Sequence, residues 1–143
     1  MIREATVTDA PDVAALWQCW AQQQGYGNPD VHGWFEQEAR GIEAGTILCI
    51  VAYEGGDMVG FADGSLAYEP GTRKTTLVGR HLFVLPEVRG QALGDRLMVR
   101  LLALGRQSGA SCLVTHGTPT MRAVEKYLGM PMKDHATLRI ARW

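Results

Sequence analysis

The sequence predicts an α/β (α+β) domain: a single mixed, mostly antiparallel sheet of about six to seven strands with helices on both faces. Three observations carry this. Short apolar runs, some alternating and some continuous, recur along the chain, as expected of half-buried and interior strands. Longer segments place apolar residues at helical spacing behind capping residues. One strand–loop–helix–strand unit past mid-chain implies a parallel pair among hairpins. At 143 residues, 46% hydrophobic and 20% charged, the chain reads as one domain, residues 1–143, large enough for a real core.

The elements follow in order. "MIREAT" alternates and reads as a first strand. "TDAPDVAALWQCWAQQ" opens a helix, with Thr8 or Asp9 as cap, Pro11 early and Asp12 in the first turn; Val13, Leu16, Trp17 and Trp20 form its apolar stripe. "GYGNPD" breaks it. A second helix runs from about His32 to Ala44, and Gly45 ends it. "TILCIVAY" is an interior strand, "EGGD" a turn, and "MVGFADGSLAY" the hairpin partner, whose Gly60 and Gly64 mark a bulge or a close approach. "TTLVGRHLFVL" is a fourth strand, stopped by Pro86. A third helix covers about Leu93 to Gln107, burying Leu97, Met98, Leu101 and Leu102 opposite Arg96, Arg100 and Arg106. "SCLVTH" is a fifth strand. "GTPTMRAVEKYLGM" is a fourth helix, capped by Thr118, opened by Pro119 and ended by Gly129. "HATLRIARW" alternates as a last strand. The order is β-α-α-β-β-β-α-β-α-β.

Bulk properties narrow the function. A net charge of -1 argues against a broad nucleic-acid surface. No run is long enough to span a bilayer, and the N-terminus has no signal-peptide core, so the expected location is the cytoplasm. Cys19, Cys49 and Cys112 lie in apolar runs and read as buried thiols of a reducing compartment; no Cys-x-x-Cys spacing suggests a metal.

The stretch "VLPEVRGQALGDRLMVRLL" joins the fourth strand to the third helix through Gly90 and Gly94. Unpartnered amides and the helix dipole favour an anion there, and Arg89 adds a full charge. The same spacing also suits a plain turn in which Asp95 meets the dipole.

Across its length the chain resembles the GNAT superfamily of N-acetyltransferases. "IREATVTDAPDVAAL" is similar to the family's first strand and helix. "HLFVLPEVRGQALGDRLM" is similar to its acetyl-CoA motif, Gln/Arg-x-x-Gly-x-Gly/Ala, and "TPTMRAVEKYLGM" to the helix that follows. The resemblance implies acetyl-CoA as co-substrate, in an opening where the fourth and fifth strands splay. It implies that the backbone of Leu82, Phe83 and Val84 bonds the pantetheine arm, and that the amides of Arg89, Gly90, Gln91, Ala92, Leu93 and Gly94 hold the pyrophosphate. Ala92 replaces the motif's inner glycine, at no backbone cost if its dihedrals are helical. Thr118 replaces a frequent capping asparagine and joins the cofactor-binding set. Glu125 stands where the family's acid tyrosine often lies, with Tyr127 two residues on, about 200° round the helix.

The implied chemistry is direct attack of a primary amine on the thioester, assisted by a general base. His81, inside the fourth strand, is the first candidate; it is otherwise a core histidine. Arg80 beside it alternates to the opposite face. His116, at the end of the fifth strand, either reaches substrate or caps a loop. Asp63 either binds the substrate amine, acts through a water or faces solvent. Tyr26 and Trp34 either line an acceptor pocket or pack the helix hairpin. The expected partner is a small-molecule, peptide or protein amine, with no nucleic acid and no membrane; homodimers are common in the family. The alternative function is a catalytically weakened acyl-CoA-binding or structural protein of the same fold.

Overall fold

In a computed structural model, residues 1–116, 121–130, 133–135 and 138–142 are described. The strands are β1 (Ile2–Glu4), β2 (Ile47–Glu54), β3 (Asp57–Glu69), β4 (Lys74–Val84), β5 (Cys112–His116), β6 (Lys133–His135) and β7 (Leu138–Arg142). The helices are α1 (Ala10–Gln23), α2 (Val31–Ala44), α3 (Leu93–Gln107) and α4 (Met121–Leu128). One mixed sheet results. β1 to β5 lie side by side in chain order, and β7 then β6 extend the sheet beyond β5. Strand β6 is the element that the apolar pattern did not reveal; "KDH" has no alternation to read.

Side-chain alternation splits the core in two. Leu48, Ile50 and Ala52 of β2 pack with Leu97, Met98, Leu101 and Leu102 of α3 and Val124 of α4. Cys49 and Val51 of the same strand face the other way, toward Val13 and Leu16 of α1 and Trp34 of α2. Each fully buried leucine or phenylalanine in these layers contributes roughly 1.5–3 kcal/mol.

Two local readings are corrected. Asp9 does not cap α1 with its side chain. Its carboxylate instead accepts from Arg3 at 2.7 and 2.8 Å, from the Thr6 amide at 2.8 Å and from Tyr53 Oη at 2.9 Å. The Arg3 fork outweighs burial and holds the Asp9 carboxyl well below its ordinary range. Cys19 is exposed, because it sits on the outer side of α1; Cys49 and Cys112 are buried thiols.

Two irregularities of β4 shape the site. β4 pairs in parallel with β5 only through Thr76, Leu77 and Val78, then continues to Val84 paired with β3 alone while β5 stays paired with β7. The register between β3 and β4 also slips: Asp63 faces His81 while Gly64 faces Gly79, leaving Arg80 as an inserted residue. Gly64 serves this junction by close approach, since a Cβ there would lie 2.9 Å from the Val78 carbonyl oxygen.

Candidate active site

Two grooves meet on the free half of β4. The first has a volume of about 470 Å³ and is lined by Leu82, Phe83 and Val84, then by Arg89, Gly90, Ala92, Leu93 and Gly94. Gln91 is exposed in the same loop. The second, about 700 Å³, is walled by Trp17, Trp20, Tyr26 and Trp34 above Arg80 and His81. Trp20 lines both.

The first groove ends on an uncapped helix. Ala92 occupies the N-cap of α3 and has no side chain to cap it; the first helical bond is Arg96 N–H to the Ala92 carbonyl. Among the described residues, no acceptor takes the amides of residues 90–95. A row of unsatisfied donors at a helix start fits an anion such as a pyrophosphate. Ala92 is not helical: its φ is +56°, in the left-handed region, which costs an alanine roughly 1–2 kcal/mol. Gly90, at φ +91°, meets a similar demand without a Cβ. Arg89 folds back along the groove. Its Nε–H donates to the Val84 carbonyl at 2.9 Å, its Nη2 donates to Gln23 at 3.1 Å, and its guanidinium lies over the Phe83 ring.

In the second groove His81 sits among rings. Its imidazole meets Trp20 edge-on at 4.7 Å between centroids and Trp34 at 5.7 Å. Trp34 stacks on Trp17 at 4.8 Å. His81 Nδ1–H donates to Asp63 Oδ1 at 2.8 Å; the carboxylate acceptor fixes that tautomer and leaves Nε2 as the basic nitrogen. Asp63 is fully buried, so it meets His81 and not a substrate amine directly.

Strand alternation placed Arg80 on the opposite face from His81; the inserted residue overturns this. Both side chains reach Asp63: Arg80 Nη1 lies 3.3 Å from Asp63 Oδ2 and 3.1 Å from Glu38 Oε2. Glu38, which no motif singled out, is fully buried on α2. Its signal was available, because it follows Trp34 by four residues and precedes Gly41 by three, on the buried stripe of the helix. Burial, and then the charge and hydrogen bond of Asp63, push the Glu38 carboxyl up to about 9. Burial, with Asp63 and Glu38 adding to it, also raises the Cys49 thiol.

The remaining expected residues lie elsewhere. Tyr127 is exposed, with the Arg106 guanidinium over its ring, in a groove shared with Ile2, Asp95 and Arg96. Glu125 is half-buried on α4 and does not line the groove of His81. His116 ends β5, its side chain being outside the described set, and Thr118 lies outside the described residues.

Comparison with known proteins agrees with this architecture. Residues 12–130 match the family model described as the acetyltransferase (GNAT) family. No curated protein matches the sequence. A predicted acetyltransferase from Clostridium acetobutylicum, crystallised with acetyl-CoA, superposes with a TM-score of 0.77 at 15% identity, over 95% of this chain and 91% of that one. A ribosomal-protein-alanine N-acetyltransferase from Brucella melitensis biovar Abortus 2308 gives 0.69 at 20% identity, covering 100% and 99%. An aminoglycoside acetyltransferase from an uncultured soil metagenomic sample, in complex with sisomicin, gives 0.68 at 16%, covering 90% and 81%. At such identities the likeness establishes the fold.

Proposed function

Because the chain belongs to the acetyltransferase (GNAT) family, we propose that it moves an acetyl group from acetyl-CoA to a primary amine by direct attack, with His81 as general base. The observation that carries this reading is the meeting of the two grooves at Trp20 and β4, where Leu82 of one groove directly follows His81 of the other. When bound, acetyl-CoA supplies an activated acetyl group. The chain's own residues do the rest. The amides of Gly90, Gln91, Ala92, Leu93 and Gly94 hold the pyrophosphate, and Arg89 adds positive charge once it leaves the Val84 carbonyl. The backbone of Leu82, Phe83 and Val84 takes the pantetheine arm as an added strand, on the edge that β5 leaves open.

The acceptor enters beneath the tryptophans. An alkylamine is mostly protonated near pH 7, so its attack needs a group that takes the proton. His81 Nε2 does so, and Asp63 stabilises the imidazolium that forms. No carboxylate lines this groove among the described residues, whereas three tryptophans and Tyr26 do. The acceptor best suited to it is an amine carried on apolar or aromatic surface, of a small molecule or a peptide, in preference to a polycation. As the new C–N bond forms the thioester C–S bond breaks, and coenzyme A leaves as its thiolate without a protein acid.

A second reading, an acyl-CoA-binding protein without turnover, draws support from Arg89, whose guanidinium already occupies the Val84 carbonyl. Calorimetric titration with acetyl-CoA, followed by thioester turnover against a panel of amines, decides between the two. Binding with turnover supports the enzyme, binding without turnover supports the second reading, and no binding at millimolar cofactor removes both.

A further inference from the structure

Four charged or titratable groups meet under the acceptor groove: Glu38 from α2, Asp63 from β3, and Arg80 and His81 from β4. The neighbouring β2 contributes Cys49, opposite Asp63, held as a neutral thiol by burial. Glu38 and Asp63 are fully buried, and one atom, Arg80 Nη1, reaches both carboxylates, 3.1 Å from Glu38 Oε2 and 3.3 Å from Asp63 Oδ2. Counting donors exposes a deficit. Asp63 Oδ1 takes His81 Nδ1–H, and Glu38 Oε2 takes Arg80 Nη1–H. Among the described residues Glu38 Oε1 and Asp63 Oδ2 have no hydrogen-bond donor, although Arg80 Nη1 stands 3.3 Å from Asp63 Oδ2 as an ion pair. Two buried carboxyl oxygens without a donor are costly, and so is the net negative charge that two carboxylates leave beside one arginine.

One proton resolves both problems, and it has two candidate homes. On His81 it would neutralise the cluster but leave both orphan oxygens without a hydrogen-bond donor, and the imidazole would be no base. On Glu38 Oε1 it neutralises the cluster and bridges the two orphans. We infer that Glu38 is a positioning residue that keeps a proton: Oε1–H donates to Asp63 Oδ2 while Oε2 accepts from Arg80, which fixes Asp63 under His81 and leaves the imidazole uncharged. This deepens the reading of His81 as general base and rests on it for its catalytic meaning. It accounts for a fully buried glutamate that touches no groove and for the arginine that turns inward to meet it.

Glutamine reproduces the pattern, an N–H toward Asp63 and a carbonyl toward Arg80, whereas alanine removes it. The test uses the whole chain and needs no substrate for its first two readouts. The infrared difference spectrum between the parent and Glu38→Gln at neutral pH is expected to show the carbonyl band of a protonated carboxylic acid; carboxylate bands alone would overturn the inference. Nitrogen NMR of His81 is expected to show a neutral Nδ1–H imidazole in the parent and in Glu38→Gln, and mixed tautomers in Glu38→Ala. A cationic imidazole in the parent at neutral pH, or a Gln variant that behaves like Ala, overturns it. In turnover, Glu38→Ala should lower kcat at least tenfold with the KM for acetyl-CoA unchanged, and Glu38→Gln should recover most of the loss; equal damage by both refutes the positioning role. A parent that binds acetyl-CoA but turns over no amine defeats the enzyme reading, while the two spectra still decide where the proton resides.

Discussion

Asp63 Oδ1 and His81 Nδ1 stand 2.8 Å apart in facing positions of β3 and β4, with the carboxylate sealed from solvent and the imidazole opening onto a groove of tryptophans. The pair is chemically asymmetric: one member only orients, the other can exchange a proton with whatever fills the groove.

His81→Ala is expected to leave acetyl-CoA affinity unchanged while lowering kcat by about 10²–10⁴-fold, the usual range for loss of a general base. Asp63→Asn should lower kcat by a smaller factor, because the imidazole stays but the anion that orients it and steadies the imidazolium is lost. Turnover by His81→Ala equal to the parent's would remove His81 from the mechanism.

Gly94→Glu puts bulk and negative charge on the first turn of α3, among the uncapped amides. Acetyl-CoA affinity should fall at least tenfold, about 1.4 kcal/mol, by calorimetry. Unchanged affinity would place the pyrophosphate elsewhere.

Ala92→Gly relieves a left-handed alanine. The relief of roughly 1–2 kcal/mol is offset by about 0.5–1 kcal/mol of extra chain entropy for glycine, for a net gain between about 0 and 1.5 kcal/mol. The melting temperature should rise by a few degrees at most without loss of acetyl-CoA affinity. A lower melting temperature would contradict the backbone assignment.

Stability should fall as pH rises through neutrality. The Glu38 carboxyl, raised by burial first and Asp63 second to about 9, keeps a proton that the unfolded chain releases near 4.5. A raised folded pKa stabilises fully below the unfolded value and loses that contribution up to the folded value, on the order of 1 kcal/mol per pH unit in between. Asp9 has the opposite sign: its depressed carboxyl contributes above its unfolded value and is lost in acid. Urea unfolding of the parent should therefore weaken between about pH 5 and 9, and Glu38→Gln should flatten that slope. Parallel slopes would mean that Glu38 is already ionised.

Much of the fold was legible because helical and alternating periodicities report burial directly: Leu97, Met98, Leu101 and Leu102 fall on one buried face, and Val13 and Leu16 on another. The turn before α3 was legible from Gly90 and Gly94. The dihedrals of Ala92 were not, since a left-handed alanine is invisible in composition. The inward turn of Arg80 was hidden for another reason. Strand alternation assumes one residue per step, and nothing in "VGRHLF" states that a step is skipped. Glu38 escaped notice because a glutamate on a helix is ordinarily read as solvent-facing, and only its position between Trp34 and Gly41 says otherwise.

The inserted residue in β4 gives the strand two reading frames. Before it, an odd-numbered residue, Leu77, faces the α3 layer; after it, the even-numbered Leu82 and Val84 do. Deleting position 80 would therefore not simply remove a guanidinium. It would also erase the bulge: His81 would follow Gly79 in plain alternation, Leu82 and Val84 would stay opposite Ala62 and Gly60 on the α3 face, and the scaffold would survive while the charged cluster beneath the groove lost its cation.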